Sequence, residues 1–384
     1  MIFSNKKQVF MKKISFNFVP FKICIIMKNN NYKHRSNKTS KTNGKRKIAF
    51  IAIAVLVLIT LFIGYQFYTY YLPNFKTESG KSDYIYIDED ATFGKIVTQL
   101  QEKKLVKNSN SFKRWAKIKK YPQNIKTGRY EVKDKMSNKD LIGNLSRKIQ
   151  APVKLKINNI RTKEQLCQKL DKQLMADSID FITMLNDNNV LLEYNVKKEE
   201  VIAFFIPNTY EVYWDIKPHD LLKRMHFEFK RFWNEKRLSQ ADSIHLSPIE
   251  VITLASIVEE ETNLAKDKPI IAGLYLNRLR INMPLQACPT AKYAAGDFSL
   301  RRILYEHTQI DSPYNTYKNI GLPPGPIRTP SVESIDAVLN YQKSNYLYMC
   351  AKETFNGEHN FASTYFEHAR NARKYQAALN KRKK

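Results

Sequence analysis

Residues 247–262, SPIEVITLASIVEEET, contain the strongest structural signal in the chain. Ser247 is a typical helix N-cap, Pro248 suits the first helical position, and Glu250 completes a capping box. The apolar residues that follow recur at helical spacing. The segment therefore predicts one helix over residues 248–262.

Three consecutive glutamates end this helix, and a helical wheel separates them. Glu260 falls on the side of Thr253 and Ser256, which we expect to face water. Glu259 and Glu261 fall about 160° apart, each between apolar residues, so they cannot act as a facing pair. Burial raises the pKa of a carboxyl and allows it to act as a general acid near neutral pH. The wheel is equally compatible with a charged helix end in solvent.

A carboxyl group that acts alone limits the possible chemistry. Ordinary glycoside hydrolysis uses two carboxyl groups, so with only one the nucleophile must come from the substrate. His359 and His368 have no ligand spacing of the HExxH kind, and the chain has no glycine-rich phosphate loop. The four cysteines are too scattered for a disulfide framework or a CxxC site, and neither Cys288 nor Cys350 has a nucleophile motif. We expect no metal and no cofactor.

The composition is that of a folded, strongly basic protein. The chain has 384 residues, of which 43% are hydrophobic and 12% aromatic, enough for two domains and a real core. Its net charge is +28, but 13 of the 64 Lys and Arg lie in residues 1–47, which contain no Asp or Glu. The remaining cations are scattered without a nucleic-acid-binding motif. We expect no nucleic acid partner, and a basic surface that faces anionic lipid or an anionic wall polymer.

An uncharged run follows Lys45-Arg46-Lys47. Residues 48–64 read IAFIAIAVLVLITLFIG, and tyrosines follow them. About 20 apolar residues span a bilayer, and tyrosines suit its interface, so residues 48–72 predict a transmembrane helix. The basic residues before it place residues 1–47 in the cytoplasm as a basic tail and residues 73–384 outside. Met11 and Met27 are alternative start positions, and we assign no fold to residues 1–26.

The part beyond the anchor is predicted to be α+β. After a linker (residues 73–82), residues 83–150 form a small α/β unit with strands at 83–87 and 128–132 and a helix capped by Ser137. Residues 151–384 form a larger α+β domain that starts with a strand at 153–157. It is mostly helical to residue 237, apart from an interruption at 205–210. Residues 286–330 are rich in turn residues and are expected to be a long loop.

The chain resembles the YceG-like family of endolytic murein transglycosylases. The resemblance rests on several motifs in one order, from about residue 84 to the C-terminus, and it includes the anchor. These motifs are LASIVEEET at 254–262, LNRL at 276–279, MPLQ at 283–286, SPYNTY at 312–317 and GLPPGPIRTP at 321–330. TGRY at 127–130 and the segment 205–210 also fall where the family has comparable segments.

The resemblance implies a function and a catalytic residue. It implies cleavage of the MurNAc–GlcNAc bond inside nascent, uncrosslinked peptidoglycan strands. The reaction would use no water and would leave 1,6-anhydro-MurNAc ends. It would terminate strand elongation beside the peptidoglycan synthases, the penicillin-binding proteins. Glu261 would be the catalytic residue, and residues 83–150 would be similar to a LysM domain. The chain would lie in the cell inner membrane, with its N-terminus cytoplasmic and its catalytic part periplasmic or extracytoplasmic.

The neighbouring motifs are expected to shape the sugar groove. Amide, hydroxyl and rigid-loop residues suit recognition of sugar hydroxyls and N-acetyl groups, although turn or core hydrogen bonding explains each of them equally well. They are Asn277, Gln286, Tyr314, Asn315, Thr316, Gly321, Leu322 and Pro323. Glu259 is either a supporting partner of the site or a buried structural carboxylate, and Arg278 is expected to pair with it.

The chain departs from the family pattern at two positions. Cys288 replaces the usual Asp, which leaves the role of a carboxylate there open and introduces a thiol that oxidation could reach. Glu260 replaces the more common Lys on the side expected to be wet. Two other functions remain open: a hydrolase in which Asp311 or Glu306 activates water, and a non-enzymatic scaffold that binds the wall.

Overall fold

The structure is a computed structural model that describes residues 41–78 and 80–382. It divides the chain into two units, Met1–Ile63 and Gly64–Lys384. Helix α1 (Lys41–Tyr71) begins in the first unit and ends in the second, and its segment Gly44–Tyr71 is long and apolar enough to cross a membrane. This confirms the predicted N-terminal apolar helix, which begins before residue 48. Residues 1–40 of the predicted tail lie outside the described residues.

The second unit starts with a small α/β region. Its elements are β1 (Asp83–Ile87), α2 (Phe93–Glu102), α3 (Ser109–Ile118), β2 (Gly128–Val132) and α4 (Asn138–Arg147). Strands β1 and β2 pair antiparallel, with Ile85 opposite Tyr130. The helices begin at side-chain caps, such as the Ser137 hydroxyl that accepts the backbone N–H of Asp140. One cluster of buried side chains, from Phe75 to Leu145, holds this region together.

The rest of the second unit is mostly helical. Its elements are β3 (Val153–Ile157), α5 (Lys163–Asp171), α6 (Ser178–Asn186), α7 (Asn188–Glu193), β4 (Asn208–Val212), α8 (Pro218–Phe232), α9 (Glu235–Ser243), α10 (Pro248–Glu261), α11 (Lys268–Arg280), α12 (Cys288–Ala295), α13 (Tyr305–Thr308), α14 (Val332–Leu339), β5 (Tyr348–Ala351), β6 (His359–Ala362) and α15 (Tyr365–Arg382). Strand β3 pairs antiparallel with β4, and β5 with β6. A second buried cluster extends from Leu155 to Leu339. The architecture is mixed α/β, mostly helical, with small sheets.

Local signals predicted many of these elements correctly, while others, among them β4 and α12, were missed. The capping box of α10 is present, because Glu250 N donates to the Ser247 hydroxyl and Ser247 N donates to the Glu250 carboxylate. Strand β4 begins within the segment 205–210 that interrupts the predicted helical region and ends two residues beyond it. Helix α12 lies within the predicted loop of residues 286–330. Both elements depend on partners far away in the chain, which local periodicity does not reveal.

Residues 251–258 of helix α10 are all buried, so the predicted wet side at Thr253 and Ser256 is wrong. Thr253 is 2% exposed and Ser256 is 0% exposed. Their hydroxyls are small and find partners inside the fold: Thr253 donates to the Ile249 carbonyl, while Ser256 donates to the Thr253 carbonyl and accepts the N–H of Ile327. Because these hydrogen bonds are made, the hydroxyls can be buried at little cost.

Helix α11 approaches its neighbours closely at Gly273. A Cβ atom at this position would lie 2.3 Å from the backbone carbonyl oxygen of Gln342, which follows α14. Backbone atoms cannot move aside as a flexible side chain can. Glycine is therefore required for α11 to pack where it does, and this packing also sets the position of the residues that follow on the same helix.

We expect Gly273→Ala to lower the free energy of unfolding, because the clash outweighs the gain of up to about 1 kcal/mol that alanine normally brings in a helix. Gly143→Ala on α4 is the matched control, since its Cβ would meet only the flexible end of the Arg147 side chain at 3.4 Å. Urea unfolding of the full chain in detergent measures both changes. Equal stabilisation by the two substitutions would contradict the close packing at Gly273.

Candidate active site

Glu261 is the last residue of α10, and its half-buried carboxyl group lies beside Tyr275 of α11. The hydroxyl of Tyr275 donates to Glu261 Oε1 at 2.6 Å. Burial raises the pKa of Glu261 to about 7, while the hydrogen bond from Tyr275 and the charge of Arg278 act against this rise. Glu261 also lies at the C-terminal end of α10, where the backbone carbonyl groups carry partial negative charge. This charge disfavours the ionised form of the Glu261 carboxyl group. Glu261 therefore exists in both protonation states near neutral pH.

The chain between α10 and α11 brings Tyr275 to Glu261. Thr262 ends α10 in an extended conformation, and its hydroxyl accepts the N–H of Leu264. Helix α11 then packs back along α10 and places Tyr275, which is 2% exposed, against the carboxyl group. Burial raises the pKa of Tyr275 well above its ordinary value, so its hydroxyl stays protonated and acts as a donor.

Two cavities meet at Glu261. The first, here called the tyrosine cavity, has a volume of about 370 Å³, and its walls include Tyr275, Arg278, Gln286, Cys288, Tyr317, Tyr348, Tyr365 and His368. The second, here called the loop cavity, has a volume of about 580 Å³, and its walls include Glu260, Asn263, Lys352, Phe355, Asn356, Glu358 and Tyr375. Both are lined by Glu261, Ala351 and His359. Together they form a cleft with Glu261 where its two parts meet.

The other carboxylates of the cleft are neutralised by cations. Glu260 forms ion pairs with Arg161, at 2.9 Å, and with Arg328. In the loop cavity, Glu358 is bound by Lys266 and Lys352, whose hydrogen bonds lower the pKa of Glu358 to about 2. Among the described residues that line the cleft, Glu261 is the one carboxyl group whose pKa is raised.

Glu259 belongs to a different environment, and the expected pairing with Arg278 is wrong. Its carboxylate accepts hydrogen bonds from Ser331 and Ser334 and lies 3.2 Å from Lys268. Burial acts to raise the pKa of Glu259, but these partners outweigh it, so that the pKa is lowered. Glu259 is thus a paired structural carboxylate that ties α10 to the start of α14 and α11.

Arg278 faces the tyrosine cavity instead. Its guanidinium donates to the carbonyls of Leu347 at 2.6 Å and Leu285 at 2.7 Å, and it lies 5.5 Å from the centre of the Tyr348 ring. Since these partners are neutral, the positive charge of Arg278 is not cancelled by a carboxylate and acts on Glu261. Arg278 therefore favours the ionised form of Glu261 without a direct ion pair.

The residues predicted to bind sugar are distributed unevenly around the cleft. Gln286 lines the tyrosine cavity. The side-chain amide of Asn277 donates to the carbonyls of Ser344 and Tyr346, and that of Asn315 to the carbonyls of Thr308 and Ile310. Thr316 is 1% exposed and accepts the N–H of Ala287. These internal bonds favour structural roles for Asn277, Asn315 and Thr316.

The remaining predicted residues do not line either part of the cleft as described. Tyr314 packs on Tyr293 with ring centres 4.6 Å apart and lines a separate cavity of about 460 Å³. Gly321 has a φ of +90°, which suits glycine in a turn, and Pro323 is buried beside it. Leu322 packs against the large hydrophobic cluster. The structure thus favours supporting positions for these four residues.

Several cleft residues were missed in the sequence. Tyr275, Tyr317, Tyr348 and Tyr365 line the tyrosine cavity with His368, and none was singled out as a site residue. One signal could have found the first of them: Tyr275 and Arg278 are three residues apart, and this spacing places two side chains on the same face of a helix. The others come from segments that only the tertiary fold brings together.

Cys288 lines the same cavity as Glu261, and its Sγ lies 3.2 Å from the hydroxyl of Tyr317. Burial raises the pKa of the Cys288 thiol, although the hydrogen bond with Tyr317 acts against the rise. Cys288 is exposed, so an oxidant can reach it as expected, while the raised pKa lowers the fraction of the reactive thiolate.

We expect Glu261→Gln to stabilise the protein at pH 8. The pKa of Glu261 is raised from 4.5 to about 7 in the folded chain, so its contribution to stability is complete below pH 4.5 and is lost as the pH rises through 7. The amide removes this cost, which is worth up to about 3 kcal/mol. Urea unfolding in detergent at pH 8 and at low pH should show a gain that shrinks as the pH falls.

Glu260→Gln is the control variant for this test, because it makes the same substitution at the preceding residue. It leaves Arg161 and Arg328 without their shared carboxylate, so we expect a loss of stability at pH 8 rather than a gain. If Glu261→Gln also lowered the stability at pH 8, ionisation of Glu261 would not oppose folding, and the proposed environment of its carboxyl group would be incorrect.

The comparisons with known proteins agree with the motif order. The sequence profile of the YceG-like family matches residues 85–374. A protein of Streptococcus pneumoniae strain D39 named endolytic murein transglycosylase is 30% identical over 355 residues, which cover 84% of this chain and 64% of that protein. A Bacillus subtilis protein of the same name is 36% identical over 227 residues, 58% of this chain and 60% of that protein. This chain thus spans less than two thirds of the length of these relatives.

A solved structure shows the same fold over most of the chain. The crystal structure of a YceG-like protein from Listeria monocytogenes superimposes with a TM-score of 0.51 and 27% sequence identity. The match covers 76% of this chain and 98% of that one. By its family profile, its relatives and its fold, this chain belongs to the YceG-like family.

Proposed function

We propose that this chain is a membrane-anchored endolytic peptidoglycan lytic transglycosylase. The observation that carries the proposal is Glu261, a half-buried carboxyl group with a pKa raised to about 7 that lines two cavities. The names of the relatives from S. pneumoniae and B. subtilis support the same activity. The substrate is the glycan strand of peptidoglycan, cleaved between MurNAc and GlcNAc.

One carboxyl group suffices for both proton transfers. Protonated Glu261 donates its proton to the glycosidic oxygen as the bond from that oxygen to C1 of MurNAc breaks. The carboxylate that results then takes the proton of the C6 hydroxyl of the same MurNAc, whose oxygen bonds to C1. The products are a 1,6-anhydro-MurNAc end and a free GlcNAc hydroxyl. Because the nucleophile belongs to the same sugar, the step needs no water and little loss of entropy.

Tyr275 positions the carboxyl group of Glu261 for these proton transfers. Its hydroxyl donates a hydrogen bond to Oε1, and no described residue donates one to Oε2. Oε2 is therefore the oxygen that exchanges a proton with the sugar. Tyr275 is a positioning residue, since its only role in this scheme is to hold the carboxyl group and set its pKa.

The arrangement offers little support for a water-using hydrolase. Such an enzyme needs a second carboxylate as base or nucleophile. The two residues considered for this role, Asp311 and Glu306, have side chains that are 99% and 74% exposed and do not line the described cleft. Glu260 and Glu358 do line it, but Glu260 is paired with Arg161 and Arg328, and the lysines bound to Glu358 lower its pKa to about 2, which makes it a weak base.

The shape of the cleft suits cleavage within a strand. The tyrosine cavity and the loop cavity both contact Glu261, so sugars can occupy both sides of the bond that is cleaved. The aromatic walls on one side fit the apolar faces of sugar rings, while Gln286, Arg278 and Asn263 offer polar groups. Endolytic action requires this access from both sides.

The proposal extends to location and partners. Helix α1 anchors the chain in the cell inner membrane, with a cytoplasmic N-terminus and the cleft outside the cytoplasm. The basic residues before the apolar run support this orientation. Residues 83–150 act as a LysM-like module that positions the glycan, and residues 151–384 form the catalytic domain. The substrate is the uncrosslinked strand that penicillin-binding synthases release, whose elongation this cleavage ends.

We expect the full chain in detergent to cut uncrosslinked glycan into internal fragments that are lighter by one water than hydrolysis products. Mass spectrometry of the digest measures this difference directly. Glu261→Gln should abolish the cleavage, because the amide can neither donate nor accept the proton. Products with ordinary reducing ends would instead identify a hydrolase, and binding of glycan without cleavage by the unmutated chain would identify a scaffold.

We expect kcat/KM to fall on the alkaline side with an apparent pKa of about 7, because the free enzyme must hold the proton on Glu261. Tyr275→Phe removes a donor that favours the ionised carboxylate, so the fall should move to higher pH. Tyr348→Phe keeps this hydrogen bond and should leave the position of the fall unchanged. An unchanged profile for Tyr275→Phe would show that Tyr275 does not act on Glu261.

A further inference from the structure

Three cations of the small α/β region contact the last two turns of α1, and a fourth lies close to them in the chain on α3. Arg114 donates to the side chains of Gln66 and Thr69, Lys119 lies 5.4 Å from the ring centre of Tyr70, and Lys139 lies 4.9 Å from that of Tyr71. Lys117 follows Arg114 by three residues on the same face of α3. We call Arg114, Lys117, Lys119 and Lys139 the basic collar.

Within residues 41–78 and 80–382, these cations have no acidic partner in a salt bridge. Among the described residues, the groups that contact Arg114, Lys119 and Lys139 are neutral. Asp140, which follows Lys139, is engaged with the hydroxyl of Ser137 at 2.6 Å. A group of unpaired cations held in place by packing attracts anions from outside the protein.

The contacts also hold the basic collar firmly against the helix. The ring of Trp115 packs on Tyr70 with centres 4.3 Å apart, and its Nε1 donates to the hydroxyl of Thr69 at 3.1 Å. The amide of Asn138 donates to the Thr69 carbonyl at 2.7 Å. Helices α3 and α4 are thus fixed to the end of α1, and the cations cannot move away from it as those on a loose linker could.

The chain itself defines the level of the basic collar relative to a bilayer. About 20 helical residues cross the hydrocarbon core, so a span that starts at residue 48 ends near residue 67. The contacts of the basic collar begin at Tyr65 and end at Tyr71. This is the depth at which phospholipid headgroups lie, and where tyrosines such as Tyr65, Tyr68 and Tyr71 are typical.

An exposed apolar residue completes the pattern. Ile118 lies between Lys117 and Lys119 and is 55% exposed. An apolar side chain among lysines is unfavourable in water, but it suits the boundary between headgroups and acyl chains. The cations and Ile118 thus both suit the headgroup region of a phospholipid bilayer.

We infer that the basic collar binds the phosphates of anionic phospholipids and seats the α/β region of residues 83–150 on the outer surface of the membrane. The inference rests on the proposed membrane anchoring but not on the proposed catalysis. Its partner is the phospholipid headgroup, bound by Lys and Arg through charge, and Ile118 adds apolar contact. The function is orientation: α1 alone fixes the chain to the membrane, and the basic collar fixes which side of the α/β region faces it.

The test compares the full chain in nanodiscs of phosphatidylcholine and in nanodiscs that also contain phosphatidylglycerol. Hydrogen exchange of residues 109–120 should be severalfold slower with the anionic lipid, and raising the salt concentration should remove the difference because salt screens exposed charges. The variant Lys117→Gln, Lys119→Gln, Lys139→Gln should lose the difference, whereas the corresponding three Lys→Arg changes should keep it.

A matched variant with Lys223→Gln, Lys236→Gln and Lys343→Gln removes the same charge from exposed positions of α8, α9 and the segment after α14, and it should behave as the unmutated chain. Equal exchange in the two lipids, or an equal effect of the two glutamine variants, would overturn the inference. Exchange of residues 48–64 is read in the same experiment. Slow exchange of residues 48–64 in both lipids shows that α1 spans the membrane. Loss of that protection would contradict the membrane anchor, whereas its presence with equal exchange of residues 109–120 in the two lipids would contradict only the role of the basic collar.

Discussion

The hydrogen bond between Tyr275 and the half-buried carboxyl group of Glu261 is the constraint on which the site depends. A carboxyl in water titrates far below neutral pH and holds no proton to donate. Burial supplies the rise in pKa, and the Tyr275 hydroxyl limits it, so that both protonation states remain accessible. Helix α11 must therefore lie close to α10, and the close approach of Gly273 to the backbone of Gln342 holds α11 against the segment that follows α14. The packing of α11 thus helps to set the position of Tyr275, and through it that of the Glu261 carboxyl group.

The three consecutive glutamates show how strongly environment decides function. Glu259 is bound by two serines and a lysine, and its pKa is lowered. Glu260 is held between Arg161 and Arg328. Glu261 has one neutral donor and no ion pair among the described residues. The same side chain is therefore a structural tie, a partner of two cations and a proposed acid within one turn of helix.

The sequence was informative where the physics is local and uninformative where it is not. The capping box, the start of α10 and the separation of Glu259 from Glu261 follow from spacing along one helix, and the structure agrees with all three. The expectation of a wet side failed because segments about 70 residues away, which include Ile327 and Arg328, cover Ser256 and pair with Glu260. Tyr275 was missed for a similar reason, since its role depends on how α11 packs against α10. Family resemblance pointed to Glu261, but it could not show which groups set its pKa.

The most direct measurement is the titration of the Glu261 carboxyl itself. Infrared difference spectra between the wild-type chain and Glu261→Gln, recorded over a range of pH, isolate the C=O stretch of this one protonated group. We expect the band to be present in mildly acidic solution and to disappear with a midpoint near pH 7. A midpoint near 4.5, the ordinary value for glutamic acid, would contradict the account, because Glu261 would then carry no proton to donate at neutral pH.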